Sequence, residues 1–128
     1  MLKKKADKWV KALRSGKYKQ GTGLLVQSRD NGRGKEVFEH CCLGVLAEIS
    51  GIKRDEIMGS ELLDGWNDKC GLKTNNGKPY DEFGDFKKIQ IKTVNRGTVR
   101  EGNLADINDS KVSFKKIANW IEKNYKLL

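Results

Sequence analysis

Val37-Phe38-Glu39-His40-Cys41-Cys42-Leu43-Gly44-Val45-Leu46-Ala47-Glu48-Ile49-Ser50-Gly51 is the stretch on which the fold turns. Val37 and Phe38 read as the end of a strand. From Cys42 onward the apolar positions switch to helical spacing, at Cys42, Val45, Leu46 and Ile49, and Gly51 closes the run. A strand therefore hands over to a helix at two adjacent thiols. A helix N-terminus carries partial positive charge and free N–H groups. A thiol placed there is either acidified into a nucleophile or buried as a small apolar group. Gly44, inside the helix, costs roughly 1 kcal/mol against alanine. Close approach of another backbone or of a ligand accounts for such a glycine, and packing is the commoner cause.

Toward the N-terminus, Leu24–Gln27 reads as a strand, Arg29 to Gly34 as a turn and Glu36–Glu39 as the returning strand. Together they form a β-hairpin that delivers the chain to the cysteine helix. Upstream, Leu2, Ala6, Trp9, Val10 and Leu13 mark an amphipathic first helix stopped by Gly16, and its other face is almost entirely lysine. Tyr18 to Gly23 is expected to be a polar, glycine-marked loop. Toward the C-terminus, Ile57, Met58, Leu62 and Leu63 suggest one short helix around 53–64, and Gly71 to Gly84 reads as an exposed loop. Phe86 to Val94 alternates Ile89 and Ile91 with Lys88, Gln90 and Lys92, a half-solvated strand ending at the turn Asn95-Arg96-Gly97. Leu104 and Ile107 lie on a short helical turn before Asn108-Asp109. Ser113 is the N-cap of a final helix with the stripe Phe114, Ile117, Ala118, Ile121 and Tyr125. Strands and helices do not alternate, so the expected fold is α+β rather than doubly wound. Residues 1–128 are expected to form a single domain, with three main helices packed on a small, mostly antiparallel sheet containing 24–27, 36–39 and 87–94.

The chain has 128 residues and a formal charge of +9. The charge is uneven. Lys3, Lys4, Lys5, Lys8, Lys11, Arg14, Lys17 and Lys19 face only Asp7 in the first twenty residues, and Lys87, Lys88, Lys92, Arg96 and Arg100 form a second basic segment. Such asymmetry favours an anionic partner, although lysine also serves simply as a solubilising surface. No apolar run approaches the roughly 18 residues of a membrane span, and the basic start is not followed by the apolar core of a signal peptide. Three cysteines, two of them adjacent, read as reduced thiols in a cytoplasmic protein. One histidine and no C-x-x-C spacing argue against zinc. No metal and no cofactor is expected.

Two chemistries compete. In the enzymatic one, Cys41 or Cys42 is the nucleophile of a hydrolase and His40 the base. His40 and Cys41 are neighbours on a strand and would point to opposite faces unless the backbone bends. Cys42 belongs to the apolar stripe of its helix, which favours burial, so Cys42 is expected to be mostly buried and neither thiol to be in a disulfide. No G-x-S-x-G, H-E-x-x-H or Walker A pattern is present. In the binding chemistry, Gly21 and Gly23 expose backbone N–H groups to an anion. Lys17 adds charge, Tyr18 a face for stacking and Gln20 a polar contact, with Arg96 and Arg100 as phosphate partners from the second basic segment. The competing role for the two glycines is a tight turn that needs positive φ.

Three motifs carry a family resemblance. They are Trp9-x-x-Ala12-Leu13-x-Ser15-Gly16-x-Tyr18-x-Gln20-Gly21-x-Gly23, then Cys41-Cys42-Leu43-Gly44-Val45-Leu46, and finally Leu104-x-x-Ile107-Asn108-Asp109 followed by Ser113-Phe114-x-x-Ile117-Ala118-x-x-Ile121-Glu122. In these, the chain resembles a family of small uncharacterised proteins of tailed bacteriophages and prophages. The resemblance leaves 52–100 uncovered and implies a genomic setting rather than a reaction. That setting favours accessory proteins that act on the host cell, including ones that capture nucleotide signals of host defence. The expected function is a non-enzymatic accessory protein that binds an anionic, nucleotide-like small molecule. Binding of nucleic acid or of a host protein, and cysteine-dependent hydrolysis, are the alternatives. No membrane partner is expected.

Overall fold

The structure, a computed structural model, describes residues 1–61, 63, 65–73, 89–92 and 99–128, of which 89–92 and 99–101 are described as backbone. The elements run α1 (Lys3–Arg14), β1 (Lys19–Gln20), β2 (Val26–Asp30), β3 (Glu36–His40), α2 (Cys42–Ile49), α3 (Arg54–Ile57), α4 (Asn67–Cys70), β4 (Ile89–Lys92), β5 (Val99–Gly102), α5 (Leu104–Asp109) and α6 (Phe114–Asn124). A short 3-10 turn follows at Tyr125–Leu127. The fold is α+β.

α1 buries Ala6, Trp9, Val10 and Leu13 and leaves its lysines in solvent. Lys11 and Arg14 in its last turn suit the negative end of the helix dipole. Gly16, at φ +74°, ends it as expected. α1 packs along α6 and across α2. The indole N–H of Trp9, fully buried, donates to the Cys42 carbonyl at 2.9 Å, so the polar atom of the largest core side chain is satisfied. α6 starts at the Ser113 cap, whose Oγ accepts from Lys116 N, and buries Phe114, Ile117, Ala118 and Ile121. Tyr125 falls in the 3-10 turn beyond it.

β3 is the centre of the main sheet, in the order β1-β3-β2. β2 pairs antiparallel with it over five residues, from Val26↔His40 to Asp30↔Glu36, and β1 pairs parallel over two, Lys19↔Glu39 and Gln20↔His40. Four expectations need correction here. Residues 19–20 form a strand inside the segment read as loop. The first hairpin strand is shifted from 24–27 to 26–30, because Leu25 leaves the ladder to meet α2. The strand expected over 87–94 is described as β4, and it pairs with β5 in a separate two-stranded ribbon. Both edges of β3 are already taken, by β1 and β2, so β4 has no place beside it. The helix expected over 53–64 shrinks to α3, and Met58 instead bridges Val26 in parallel fashion. Of the expected exposed loop, only 71–73 is described, and Leu72 there is buried. The turn at 95–97 lies outside the described residues.

Gly44 is explained by backbone. A Cβ there would lie 1.9 Å from the Leu25 carbonyl oxygen. The first turn of α2 is seated directly on the Leu25 peptide, whose carbonyl also accepts from Cys41 N at 3.0 Å. No helix among the described residues is long and apolar enough to cross a membrane.

Candidate functional site

The three motif segments meet at one buried residue, Asn108. Its side-chain oxygen accepts from the backbone N–H of Cys42 at 3.1 Å and from the Gln20 amide at 3.0 Å. Its side-chain nitrogen donates to the Gly21 carbonyl at 2.8 Å. Gln20 is committed at both ends: its nitrogen also donates to the Val112 carbonyl at 2.8 Å, and its oxygen accepts from Phe114 N at 3.1 Å. Gly21 N donates to the His40 carbonyl at 2.8 Å, and Gly23 N donates to the Asp109 carboxylate at 2.9 Å. Asn108 and Asp109 are thus the last residues of α5 rather than a turn after it. The two glycine N–H groups read as an anion cradle are engaged within the protein, one of them by a carboxylate.

The thiols show which of two opposed effects wins. Cys41 is the N-cap of α2 and its sulfur accepts from Gly44 N at 3.4 Å, a bond that favours the thiolate. Burial disfavours it more strongly, and the Cys41 thiol is pushed up to about 11. Cys42 has no exposed surface, donates to the Leu104 carbonyl at 3.4 Å, and is held well above the usual thiol range, again by burial. Both cysteines are free of disulfides, and neither sulfur is bonded to His40. The positive end of the helix is there, but the apolar packing around it keeps both groups protonated at neutral pH.

His40 is 2% exposed and belongs to a different cluster. Its Nε2 meets Glu48 Oε2 at 2.5 Å, and Glu48 Oε1 accepts from Arg54 Nε at 2.9 Å. Arg54 in turn stacks over Phe38 at 4.2 Å. Burial lowers the His40 pKa against the pull of Glu48, which leaves the ring neutral at pH 7. A neutral ring bonded to a carboxylate through Nε2 carries its proton there. Tyr18 packs edge-on against His40 with ring centroids 5.0 Å apart, is half-buried, and has Lys17 Nζ 5.6 Å from its centroid. Lys17 and Tyr18 therefore stand with His40, on the far side of the sheet from the concavity described next.

The strand register divides the sheet into two faces. Gln20, Val26, Phe38 and His40 lie on the inner one; Lys19, Gln27, Arg29, Val37 and Glu39 lie on the outer one. On the outer face a pocket of about 380 Å³ is lined by Gln20, Gly21, Thr22, Arg29, Glu39 and Lys111. Arg29 Nε is 3.2 Å from Glu39 Oε1; the Arg29 side chain is 62% exposed and that of Glu39 only 10%. Lys111, just past the end of α5, holds φ at +62°. That left-handed conformation is ordinary for glycine and strained for lysine. A second hollow of about 460 Å³ lies along α1 and α6, lined by Asp7, Val10, Lys11, Arg14, Ser15 and Glu122. There Arg14 is already held by both oxygens of Glu122 and by Asn119. The outer-face pocket is the better candidate site.

Of the residues selected from sequence, Gly21 and Gln20 reach this pocket. Lys17, Tyr18 and Gly23 do not line it. Arg100 lies in β5, with its side chain outside the described part, and Arg96 lies outside the described residues. Arg29, Glu39 and Lys111 were missed. Arg29 falls in the segment whose local sequence signals a turn but which continues β2, and Lys111 comes close only because α5 clamps the Gly21 segment. What the arrangement defines is a small α+β domain with a compact, mixed-charge pocket on the open face of its sheet. The chain belongs to the family described as a domain of unknown function, DUF8296, which matches residues 1–125. Comparison with curated proteins and with solved structures gives no match.

Proposed function

We propose that this protein is a non-enzymatic binding protein for a small anionic molecule of nucleotide type, held in the outer-face pocket. The observation that carries the reading is the pairing of Arg29 and Lys111 at the rim of a cavity of about 380 Å³ beside the Gln20–Thr22 segment. That volume is near the lower end of the usual range for ligand pockets, roughly 300 to 1,000 Å³, and suits one mononucleotide-sized molecule. Arg29 offers a planar fork for phosphate oxygens and Lys111 a point charge. The buried, protonated thiols weigh against a hydrolase, because neither is poised to attack. The motif resemblance to tailed-phage and prophage proteins supports a setting in the cytoplasm of a bacterial host. There, capture of a nucleotide signal is a task that needs binding and no chemistry.

Calorimetric titration with inorganic phosphate, ribose 5-phosphate and a panel of mono-, di- and cyclic nucleotides tests this. Saturable binding that is lost in Arg29→Gln and Lys111→Gln supports it. If none of these ligands binds, while DNA binds with a steep salt dependence, the acceptor is a polyanion instead. The exposed lysines of α1 would then be the contact surface.

A further inference from the structure

We propose that the solvent face of α1 is a second binding surface, and that its partner is the phosphate backbone of duplex DNA, held without regard to sequence. This surface is separate from the outer-face pocket, and the inference goes beyond the small-molecule reading.

α1 carries Lys3, Lys4, Lys5, Lys8, Lys11 and Arg14 against the single acid Asp7. The fold sorts these cations into two sets. Lys3 is paired with Asp7 at 2.8 Å, Lys5 Nζ donates to the Lys69 carbonyl at 2.9 Å, and Arg14 is held by Glu122 at 2.8 Å. Lys4, Lys8 and Lys11 are exposed and have neither a hydrogen bond nor an ion pair among the described residues. Their spacing, i, i+4 and i+7, sets them in one line on the side of the helix turned away from the buried Ala6, Trp9 and Leu13.

That line works against α1 itself. Like charges three and four residues apart on a helix repel, as Lys8 and Lys11 do and Lys4 and Lys8 do. Lys3, Lys4 and Lys5 fill the first turn, where the helix dipole favours acids, and no acid is there. Leu2 at the N-cap offers no side-chain hydrogen bond to the free N–H groups. A face that served solubility alone would gain by alternating Glu with Lys at the same spacing. An unbroken line of one sign gains only when a polyanion lies along it and removes the repulsion.

The dimensions and the chemistry choose the polyanion. At 1.5 Å per residue, Lys4 to Lys11 spans about 10.5 Å of helix axis. One strand of B-DNA sets a phosphate about every 3.4 Å along its axis, so the line covers about three of them. The aromatic side chain of α1, Trp9, is fully buried, which removes the stacking platform that single strands use. Every apolar side chain between Lys4 and Lys11 is also buried, so the line offers no wedge to a lipid surface. Lysine contacts phosphate as a point charge, and such contacts position a duplex without reading its bases.

The test is fluorescence anisotropy of the full chain with a labelled mixed-sequence duplex, at salt concentrations from about 50 to 200 mM. The comparison is with Lys4→Gln/Lys8→Gln/Lys11→Gln and with a charge-matched control, Lys115→Gln/Lys123→Gln/Lys126→Gln, made at exposed lysines beyond α1. Removing three phosphate contacts should make the log–log salt slope shallower by about 2.7 and cost at least tenfold in affinity at low salt. The control should keep most of the affinity, and a second duplex of unrelated sequence should bind equally well. Without DNA, the α1 variant should melt no lower than the parent, because repulsion is relieved. Lys8→Gln alone, expected to make the slope shallower by about 0.9, decides the matter if the triple variant does not fold. Equal losses in the two triple variants overturn the proposal in favour of net charge alone. Absence of duplex binding overturns it too, as does tighter binding of a single strand or of phosphatidylserine vesicles. Titration of the α1 variant with ribose 5-phosphate reads the outer-face pocket separately, so either surface can fail while the other stands.

Discussion

The two faces of the three-stranded sheet are built from alternate residues of the same segments, yet they use polarity differently. On the inner face, Gln20 uses both ends of its amide on Asn108, Val112 and Phe114, and His40 binds Glu48 through Nε2 while its buried Nδ1 has no partner and faces no open pocket. On the outer face, Gln27 leaves a donor without a partner, Arg29 stands largely in solvent, and Lys111 sits in a strained conformation at the rim. A buried polar group that is fully bonded is part of the scaffold. A charged group that stands in solvent or in strain at the rim of an open pocket is a candidate for meeting something else. The strand register is what separates the two.

The contrast breaks most easily on the inner side. Gly44→Ala gains helix propensity of about 1 kcal/mol locally, but the new methyl falls on the Leu25 carbonyl, backbone that cannot step aside. We expect a net loss of roughly 3 kcal/mol or more, read as a collapse of the melting temperature. A mild effect would mean that α2 is not seated on Leu25. Asn108→Ala strands Cys42 N, the Gly21 carbonyl and the Gln20 amide together. Urea denaturation should show a loss of about 2–4 kcal/mol. A change below about 0.5 kcal/mol would place this network outside the scaffold.

A smaller change comes from acid. Burial depresses the His40 pKa below its unfolded value, so the unfolded chain takes up a proton first as pH falls. The stability this group contributes is present above about pH 6.5 and is lost between there and its lower folded pKa. Denaturation midpoints should drop across that window and the drop should flatten in His40→Gln; a rise in stability on acidification would reverse the assignment. The smallest expected effect lies on the outer face. Lys111→Gly relieves the positive φ and should raise stability by about 0.5–1 kcal/mol while weakening binding of ribose 5-phosphate. Loss of stability instead would show that Lys111 belongs to the scaffold.

Much of this was legible in advance for reasons that can be named. The stripes of α1 and α6 follow a 3.6-residue period that only one partner face can satisfy, and Gly16 and Ser113 mark their ends by local chemistry, whereas α2 is buried on every side from Cys42 to Ala47. The α+β class followed from the irregular order of strands and helices along the chain. Burial of Cys42 was readable because it shares the stripe with Val45 and Leu46. Less legible was anything that depends on who sits next to whom. Nothing in Lys19-Gln20 announces a strand, since two residues carry no period and the pairing comes from β3. Leu24 and Leu25 look like strand residues, but the Leu25 peptide is taken by α2. The Asn108-Asp109 pair reads locally as a turn and cap, and its actual partners lie 66 and 87 residues away in the chain.

The sequence alone determined α1, α2 and α6, the strand-to-helix handover, the basic charge and the glycine that close packing requires, because periodicity, capping and conformational freedom are properties of neighbouring residues. Tertiary structure alone decided that the motif glycines are bonded inward rather than toward an anion, and that the thiols are protonated despite their place at a helix N-terminus. It also brought Arg29, Glu39 and Lys111 to one pocket. Those outcomes depend on desolvation and on contacts between distant segments, and neither is written in local order.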